Sequence, residues 1–323
     1  MKYCIVGGGG CFGLNLARYL SSVGHECFGI GRSGPKIAPF WLAPKNYRFY
    51  AYHTLFDLEY MVKLLDREKP QIMVNFAAQG EGAASFDSDC WRFYATNCVS
   101  LVRLVEAVRG KSWLKQFIHI GSSEVYGPVK KAAKETNVLN PTSPYSVSKA
   151  AFDLHLQVMH RIHSFPMNIV RPSNCYTPGQ QLHRIIPKAI IYALSGKKLP
   201  LHGGGRAQKS YLHADDLSKA ICLIAEHAPI GAIYNCGSRL PISIETVVQT
   251  CAEVCGISLE ELVERVPDRK GQDSQYWLDS SELEKVTSWK PTVEFQIGVE
   301  QMVTWIKSYP ELLKMPTDYI MRA

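Results

Sequence analysis

The sequence has no long apolar run, no paired cysteines and no run of basic residues, and each absence excludes a class of protein. A membrane-spanning helix needs roughly 18 consecutive apolar residues, so no transmembrane segment is predicted. The ten cysteines stand singly, without a Cys-x-x-Cys pair, which argues against disulfides and zinc sites. The net charge of +7 comes from dispersed residues, so an anionic ligand is expected and nucleic acid is not.

The composition indicates a globular protein of the cytoplasm. With 323 residues, of which 46% are hydrophobic, the chain can bury a sizeable core and has the length of about two lobes. Met1 and Lys2 lead directly into a predicted strand, without the apolar segment and cleavage site of a signal peptide. We therefore expect a cytoplasmic protein that does not bind a membrane.

A glycine-rich turn near the N-terminus indicates a dinucleotide site. Residues 3–6 predict a buried strand, and residues 15–22 predict the helix that follows. Between them, the spacing Gly7-x-x-Gly10-x-x-Gly13 allows a tight turn, a close approach to a pyrophosphate and contact between helix and strand. A glycine-rich connector without a ligand is the alternative. The position between a first strand and a first helix favours dinucleotide binding.

The rest of the first half alternates between strands and helices. Further strands are predicted at residues 25–30, 71–76 and 116–120, and helices at residues 58–67 and 88–108. This alternation predicts an α/β fold with a doubly wound parallel sheet, whose ligands lie at the carboxyl ends of the strands. Three segments follow such ends: residues 77–79, residues 121–127 and the approach to Tyr145.

Tyr145 and Lys149 are one helical turn apart on the same face of a predicted helix. Ser143 is expected to cap this helix, and Pro144 suits its first turn. A Lys ammonium near the phenol favours the phenolate and so lowers the tyrosine pKa from its usual value of about 10. Although such a pair is most often ordinary surface packing, it makes Tyr145 a candidate base for a sugar or alcohol hydroxyl.

The end of the second predicted strand lacks the acidic residue with which NAD-preferring sites bind the ribose hydroxyls. Gly31 leaves room for a 2′-phosphate, which Arg32 and Ser33 can bind. We therefore expect NADP as the cofactor, with NAD as the alternative. A surface arginine without a ligand is the other interpretation of Arg32.

A series of motifs resembles the extended short-chain dehydrogenases/reductases that act on nucleotide sugars, over nearly the whole chain. The motifs are, in order, Gly7-x-x-Gly10-x-x-Gly13, Ala77-Ala78, Asn97, Gly121-Ser-Ser-Glu-Val-Tyr-Gly127, Ser143-Pro-Tyr145-x-x-x-Lys149 and Arg171-Pro-Ser-Asn174. Within this family, the Ser-Ser-Glu-Val-Tyr-Gly segment is most similar to the sugar 4,6-dehydratases.

The resemblance implies a domain organisation and an assembly. A Rossmann domain at residues 1–170, with returning segments from the C-terminal half, would precede a smaller nucleotide-sugar-binding α/β lobe, mostly residues 171–323. The family pairs into homodimers through two helices, which correspond here to residues 88–108 and 145–163.

The resemblance also implies binding residues along the chain, with no metal ligand among them. Cofactor contacts would come from Gly7, Gly10, Cys11, Phe12, Gly13, Arg32, Ser33, Thr54, Leu55, Ala77, Ala78, Gln79, Asn97, Tyr145, Lys149 and Pro172. Nucleotide-sugar contacts would come from Ser122, Asn174, Arg184, Lys209, Asn235 and Arg269.

The reaction implied by the resemblance begins with oxidation of the sugar at C4. Ser122 and Tyr145 would hydrogen-bond the 4-hydroxyl, Lys149 would hold the nicotinamide ribose, and Tyr145 would take the proton as C4 gives hydride to the oxidised cofactor. Glu124 would then remove the C5 proton, which the 4-ketone makes acidic. Water leaves from C6 and the hydride returns there, which yields a 4-keto-6-deoxyhexose.

Departures from the family pattern leave the reaction open. Dehydratases of dTDP-glucose have an aspartate at the position of Ser123, as the acid for the leaving hydroxyl. GDP-mannose 4,6-dehydratases and UDP-glucuronate decarboxylases resemble this chain in having serine there. Residues 80–85 lack the His and Val common in dehydratases, and Thr54 replaces an adenine-contacting aspartate. A 4-epimerase or a UDP-glucuronate-type decarboxylase of the same fold is therefore the alternative, and Ser123 is counted among the catalytic candidates.

Overall fold

The computed structural model describes residues 1–32, 44–52, 57–80, 83–86, 89–238, 240–268 and 275–319. The strands are β1 (Lys2–Val6), β2 (Glu26–Gly31), β3 (Arg48–Ala51), β4 (Ile72–Asn75), β5 (Gln116–Ile120), β6 (Met167–Pro172), β7 (Asn174–Tyr176), β8 (Leu199–His202), β9 (Gln208–Lys209), β10 (Tyr211–His213), β11 (Ile233–Cys236), β12 (Ile242–Ser243), β13 (Val263–Val266) and β14 (Gln275–Tyr276). The α-helices are α1 (Cys11–Ser22), α2 (Leu58–Glu68), α3 (Trp91–Tyr94), α4 (Ser100–Val108), α5 (Pro144–His163), α6 (Ile185–Leu194), α7 (Ala214–His227), α8 (Ile244–Cys255), α9 (Leu259–Leu262), α10 (Ser281–Thr287) and α11 (Phe295–Ser308).

A seven-stranded sheet in the order β11-β6-β5-β4-β1-β2-β3 forms the centre of the described structure. Every neighbouring pair in it is parallel. The inner strands β4 and β5 are buried along their whole length, as strands between two helical layers should be. The predicted doubly wound α/β fold is confirmed, and β11 joins the sheet from the second half of the chain.

Apolar side chains pack on both faces of the sheet and in a separate core of the second half. On one face, Met61, Leu104 and Phe152 represent the cluster made by α2, α4 and α5 with the sheet. On the other face, α1 packs against α7 in a second cluster. In the second half, α6, α8 and α11 enclose a third cluster that contains the fully buried Trp305.

The observed elements agree with the predicted ones except at two helices. The first helix begins at Cys11 rather than at residue 15, because Gly10 has the extended backbone of an N-cap and the following residues are already helical. The predicted helix at residues 88–108 is α3 and α4, joined by a π-helical segment at Ala95–Val99. Apolar periodicity alone does not reveal such a change of helical pitch.

The predicted cap of α5 is confirmed. Ser143 Oγ accepts a hydrogen bond from the backbone N–H of Ser146 at 3.1 Å, and Ser146 Oγ accepts one from the N–H of Ser143 at 3.0 Å. Pro144 is the first helical residue, where its missing N–H costs no hydrogen bond. The helix therefore begins at a defined residue, which fixes the rotation of its first turns.

We predict that Ser143→Ala lowers the free energy of unfolding by about 1 kcal/mol, because it leaves the first N–H groups of α5 without their acceptor. Urea unfolding measures the change. Ser308→Ala is the control, since Ser308 Oγ donates only to a carbonyl within α11 and should change stability by less than about 0.5 kcal/mol. Equal stability of the two variants would contradict the role of the cap.

Candidate active site

The glycine-rich turn between β1 and α1 forms a cradle for a phosphate. Gly7 has a φ of 84°, and a Cβ there would lie 2.8 Å from the backbone nitrogen of Ala77. A Cβ at Gly13 would lie 2.7 Å from the Gly7 carbonyl oxygen, so the helix approaches the turn as only glycine permits. Among the described residues, no side chain caps α1 at Gly10, which leaves its first N–H groups to an anion. These features fit a dinucleotide pyrophosphate.

Asn97 connects the segment after β4 to the helix of Tyr145. Asn97 Oδ1 accepts a hydrogen bond from the N–H of Gln79 at 2.7 Å, and its Nδ2 donates to the Gln79 carbonyl at 3.0 Å. The same Nδ2 donates to Ser148 Oγ at 2.9 Å. Asn97 lies in the π-helical segment, whose wider turn directs this side chain between the two elements. The structure therefore brings Ala77–Gln79, predicted to contact the cofactor, close to α5.

Lys149 lies against the end of β5. Its buried Nζ donates a hydrogen bond to the carbonyl oxygen of Ile120 at 2.7 Å and lies 3.4 Å from His119 Nε2. Burial lowers the pKa of Lys149 to about 8, against the attraction of Asp153. Tyr145 is half-buried, and its ring packs edge to face on Phe93 with centroids 6.3 Å apart. The helix that carries Tyr145 and Lys149 is thus fixed to the strand from which the next site segment follows.

That segment turns directly from β5 into a short 3₁₀ helix, Ser123–Tyr126. Ser122 caps it, since its Oγ accepts a hydrogen bond from the N–H of Glu124 at 3.1 Å. A hydroxyl that accepts one bond can still donate its own hydrogen, so Ser122 remains able to bind a sugar oxygen. Ser122 and Ser123 are buried, whereas Glu124 is half-buried. The carboxylate is therefore accessible at the carboxyl edge of the sheet.

The remaining predicted binding residues are spread over the carboxyl edge and the second half of the chain. Cys11 is buried and Phe12 half-buried in the first turn of α1, Arg32 is exposed after β2, and Pro172 ends β6. Asn174 begins β7, and Arg184 is the N-cap of α6. Ser33, Thr54, Leu55 and Arg269 lie outside the described residues.

Three of the predicted substrate contacts have different surroundings in the structure. A Cβ at Gly80 would lie 3.2 Å from Arg184 Nη2, so this guanidinium lies beside the segment that follows β4. Asn235 is fully buried; its Oδ1 accepts a hydrogen bond from Tyr126 and its Nδ2 donates to the Ala133 carbonyl, both at 2.8 Å. Asn235 therefore connects the 3₁₀ helix of Tyr126 to the backbone at Ala133. Lys209 lies on β9, with its ammonium 5.5 Å from the Tyr276 ring centroid.

A group of buried polar residues close to Lys149 has a role that was not predicted from the sequence. His119, Asp153 and Arg171 are all buried, and Arg171 Nε donates to Asp153 Oδ2 at 2.8 Å. Burial, together with the cations of Lys149 and Arg171, lowers the pKa of His119 well below its usual value. Burial raises the pKa of Asp153, while Arg171 and Lys149 oppose that rise. The available signal was Asp153, four residues after Lys149 and so on the same helical face.

A parallel doubly wound sheet with a glycine-rich first turn, and a Tyr-x-x-x-Lys helix fixed to the end of β5, defines the extended short-chain dehydrogenase/reductase class. The chain belongs to the NAD dependent epimerase/dehydratase family, which it matches over residues 3–237. The resemblance found in the sequence is thereby confirmed. None of the described helices is long and apolar enough to cross a membrane.

Known proteins similar to this chain include several 4,6-dehydratases. The chain is 32% identical over 264 residues to the dTDP-glucose 4,6-dehydratase of Xanthomonas campestris pv. campestris, covering 76% of this chain and 75% of that enzyme. It is 31% identical over 252 residues to a trifunctional UDP-glucose 4,6-dehydratase/UDP-4-keto-6-deoxy-D-glucose 3,5-epimerase/UDP-4-keto-L-rhamnose-reductase of Arabidopsis thaliana, of which it spans 38%. The dTDP-glucose 4,6-dehydratase of Streptomyces venezuelae, solved with NAD bound, superposes with a TM-score of 0.87 at 27% identity, over 96% of this chain and 98% of that one.

We predict that Lys149 gives the ligand-free protein a distinct pH dependence of stability. Its folded-state pKa of about 8 lies below the ordinary value of 10.5, so the unfolded chain holds the proton more tightly. The free energy of unfolding therefore rises with pH between these values, by up to about 1.4 kcal/mol per pH unit. Lys149→Met removes this contribution, so the stability of the wild type should rise relative to the variant over that range. Urea unfolding at a series of pH values measures the difference, and parallel curves would contradict the lowered pKa.

Proposed function

We propose that the chain is a nucleotide-sugar 4,6-dehydratase, a lyase that converts a nucleoside-diphosphate hexose to its 4-keto-6-deoxy derivative. The observation that carries the proposal is the hydrogen bond from Lys149 Nζ to the carbonyl of Ile120. It holds the helix of Tyr145 at the strand end from which Ser122 and Glu124 follow. This contact supports the proposal that an alcohol-oxidising pair and a carboxylate belong to one site, as elimination after oxidation requires.

The first step uses residues of α5 and the residue after β5. A bound nicotinamide cofactor would accept the hydride of C4 and later return it to C6. Tyr145 takes the proton of the 4-hydroxyl, and Ser122 donates a hydrogen bond from its own hydroxyl to the same oxygen. Lys149 supplies a positive charge close to the end of β5, which favours the phenolate form of Tyr145. The product of this step is the 4-ketone, whose neighbouring C5 proton is acidic.

Elimination uses Glu124. In its ionised form, the Glu124 carboxylate takes the C5 proton, and the 4-ketone carries the resulting negative charge as an enolate. Ser123 holds no proton acidic enough for the leaving C6 hydroxyl, whereas Glu124 has just become a carboxylic acid. Glu124 therefore passes the same proton to the C6 hydroxyl, which leaves as water and gives the C5–C6 double bond. When the hydride returns to C6, C5 regains a proton, equal in number to the one that Tyr145 took from the 4-hydroxyl, and the 4-keto-6-deoxy sugar results. Ser123 is left to orient the 6-hydroxyl through a hydrogen bond.

The second half of the chain supplies the contacts to the nucleotide diphosphate in this proposal. Most of residues 171–323 form the substrate-binding lobe, and residues 1–170 form the cofactor domain. Arg184 and Lys209 offer the cationic groups that a diphosphate needs, with Asn174 and Arg269 as further contacts.

We also propose that the enzyme is a cytoplasmic homodimer. Large apolar side chains are exposed on α3 and along α5, where Trp91 is 61%, Leu154 53% and Ile162 63% accessible. These side chains follow the two helices by which the family pairs, and a second copy would bury them. Size-exclusion chromatography with light scattering tests the assembly, and a monomer at micromolar concentration would contradict it.

We predict that the enzyme removes one water from at least one nucleotide hexose and that Glu124→Gln abolishes this loss. Mass spectrometry of a panel of nucleotide sugars measures the product. The variant should lose at least about a hundredfold in product formation while the absorbance of reduced nicotinamide still appears, because only the C5 proton transfer is blocked.

Glu264→Gln is the matched control, since Glu264 is exposed on β13, and it should retain full activity. Normal turnover of Glu124→Gln would contradict the role of Glu124. An isobaric product from the wild type would indicate an epimerase, and loss of carbon dioxide a decarboxylase.

We propose NADP as the preferred cofactor because Arg32 is exposed at the end of β2, where no carboxylate follows the strand in the described residues. Arg32→Ala should weaken NADP binding about tenfold and leave NAD binding unchanged, since it removes one charge-assisted contact to the 2′-phosphate. Fluorescence titration with each cofactor measures both constants. Arg67→Ala, on the exposed side of α2, is the control. A purified protein that retains only NAD would contradict the preference.

A further inference from the structure

One buried guanidinium connects the two parts of the proposed site. Arg171 on β6 is 1% exposed. Its Nε donates to Asp153 Oδ2 at 2.8 Å, and its Nη1 donates to the phenolic oxygen of Tyr126 at 2.7 Å. Asp153 belongs to α5, the helix that carries Tyr145. Tyr126 ends the short 3₁₀ helix that carries Glu124.

The phenol of Tyr126 is fixed from both sides. Its oxygen accepts the hydrogen bond from Arg171 and donates its own hydrogen to Asn235 Oδ1 at 2.8 Å. Asn235 in turn donates to the Ala133 carbonyl at 2.8 Å. The guanidinium carbon also lies 5.0 Å from the centroid of the Tyr126 ring. The position of the 3₁₀ helix is thereby tied to β6 and β11.

The ion pair also packs directly beneath the residue before Ser122. A Cβ at Gly121 would lie 3.2 Å from Arg171 Cγ and 3.3 Å from Asp153 Oδ1. The backbone of Gly121 therefore packs directly against the ion pair, without an intervening side chain. A buried ion pair adds little stability over apolar residues of the same size, so stability alone does not explain why this pair is present.

We propose that Arg171 is a positioning residue that, through Asp153 and Tyr126, sets the placement of Glu124 relative to Tyr145. The inference rests on the proposed function, because it assigns Glu124 the elimination step. Tyr145 stands on a 20-residue helix with its own cap and core contacts, whereas Glu124 stands on a four-residue helix. Loss of the link should therefore displace Glu124 and leave Tyr145 in place.

Tyr126→Phe tests this inference, since it removes the oxygen between Arg171 and Asn235 and keeps the ring. We expect kcat for the dehydrated product to fall about tenfold, with the KM for the nucleotide sugar within about twofold of the wild type. Reduced nicotinamide should accumulate during turnover, because C4 oxidation continues while elimination is slow. Tyr211→Phe is the matched control: its buried phenolic oxygen has no hydrogen-bond partner among the described residues.

Hydrogen exchange of the amides of residues 121–127 gives a readout that does not depend on the reaction. It should be faster in Tyr126→Phe and unchanged in Tyr211→Phe. An unchanged kcat, or an equal fall of oxidation and elimination without accumulation of reduced nicotinamide, would overturn the inference. Failure of the proposed function can be distinguished from failure of this inference, because the wild type itself would then already form no dehydrated sugar. Unchanged exchange in Tyr126→Phe would overturn the positioning role in that case as well.

Discussion

The hydrogen bond between Lys149 Nζ and the Ile120 carbonyl is the contact on which the site depends. The end of β5 and the helix α5, which more than twenty residues of chain separate, meet at this contact. Their contact requires the ammonium to be buried. Burial of a cation is costly unless hydrogen bonds and an opposite charge compensate for it. Asp153, one turn further along the same helix, supplies that charge.

The groups around Lys149 are arranged so that no further positive charge arises next to its ammonium. Asn75 Oδ1 accepts from the N–H of Ala77 at 3.2 Å, so its Nδ2 is the atom that donates to His119 Nδ1 at 3.0 Å. His119 Nε2 lies 3.4 Å from Lys149 Nζ and 3.7 Å from Asp153 Oδ1. A neutral imidazole at this point adds no charge beside the ammonium. The low pKa that burial gives His119 keeps it in this form.

The fold and the local geometry of the main motifs could be predicted because short-range physics determines them. The bounds of β5 and the cap of α5 follow from apolar runs and from the residues at 143 and 144. The π-helical segment at Ala95–Val99 could not be predicted, because it depends on where Asn97 must reach in the folded protein. The hydrogen bonds of Asn235 could not be predicted either, since its partners Tyr126 and Ala133 come from distant parts of the chain.

The same reasoning explains why a contiguous motif identifies this family but leaves the reaction undecided. Tyr145 and Lys149 are four residues apart on one helix, so their spacing alone predicts them as the pair for the oxidation that dehydratases and epimerases share. Elimination requires in addition that Glu124 lie within reach of C5 while Tyr145 holds the 4-oxygen. We propose that Arg171, which is adjacent in sequence to neither residue, sets that relation. In this proposal, the reaction therefore depends on the buried contacts beneath the motifs as well as on the motifs themselves.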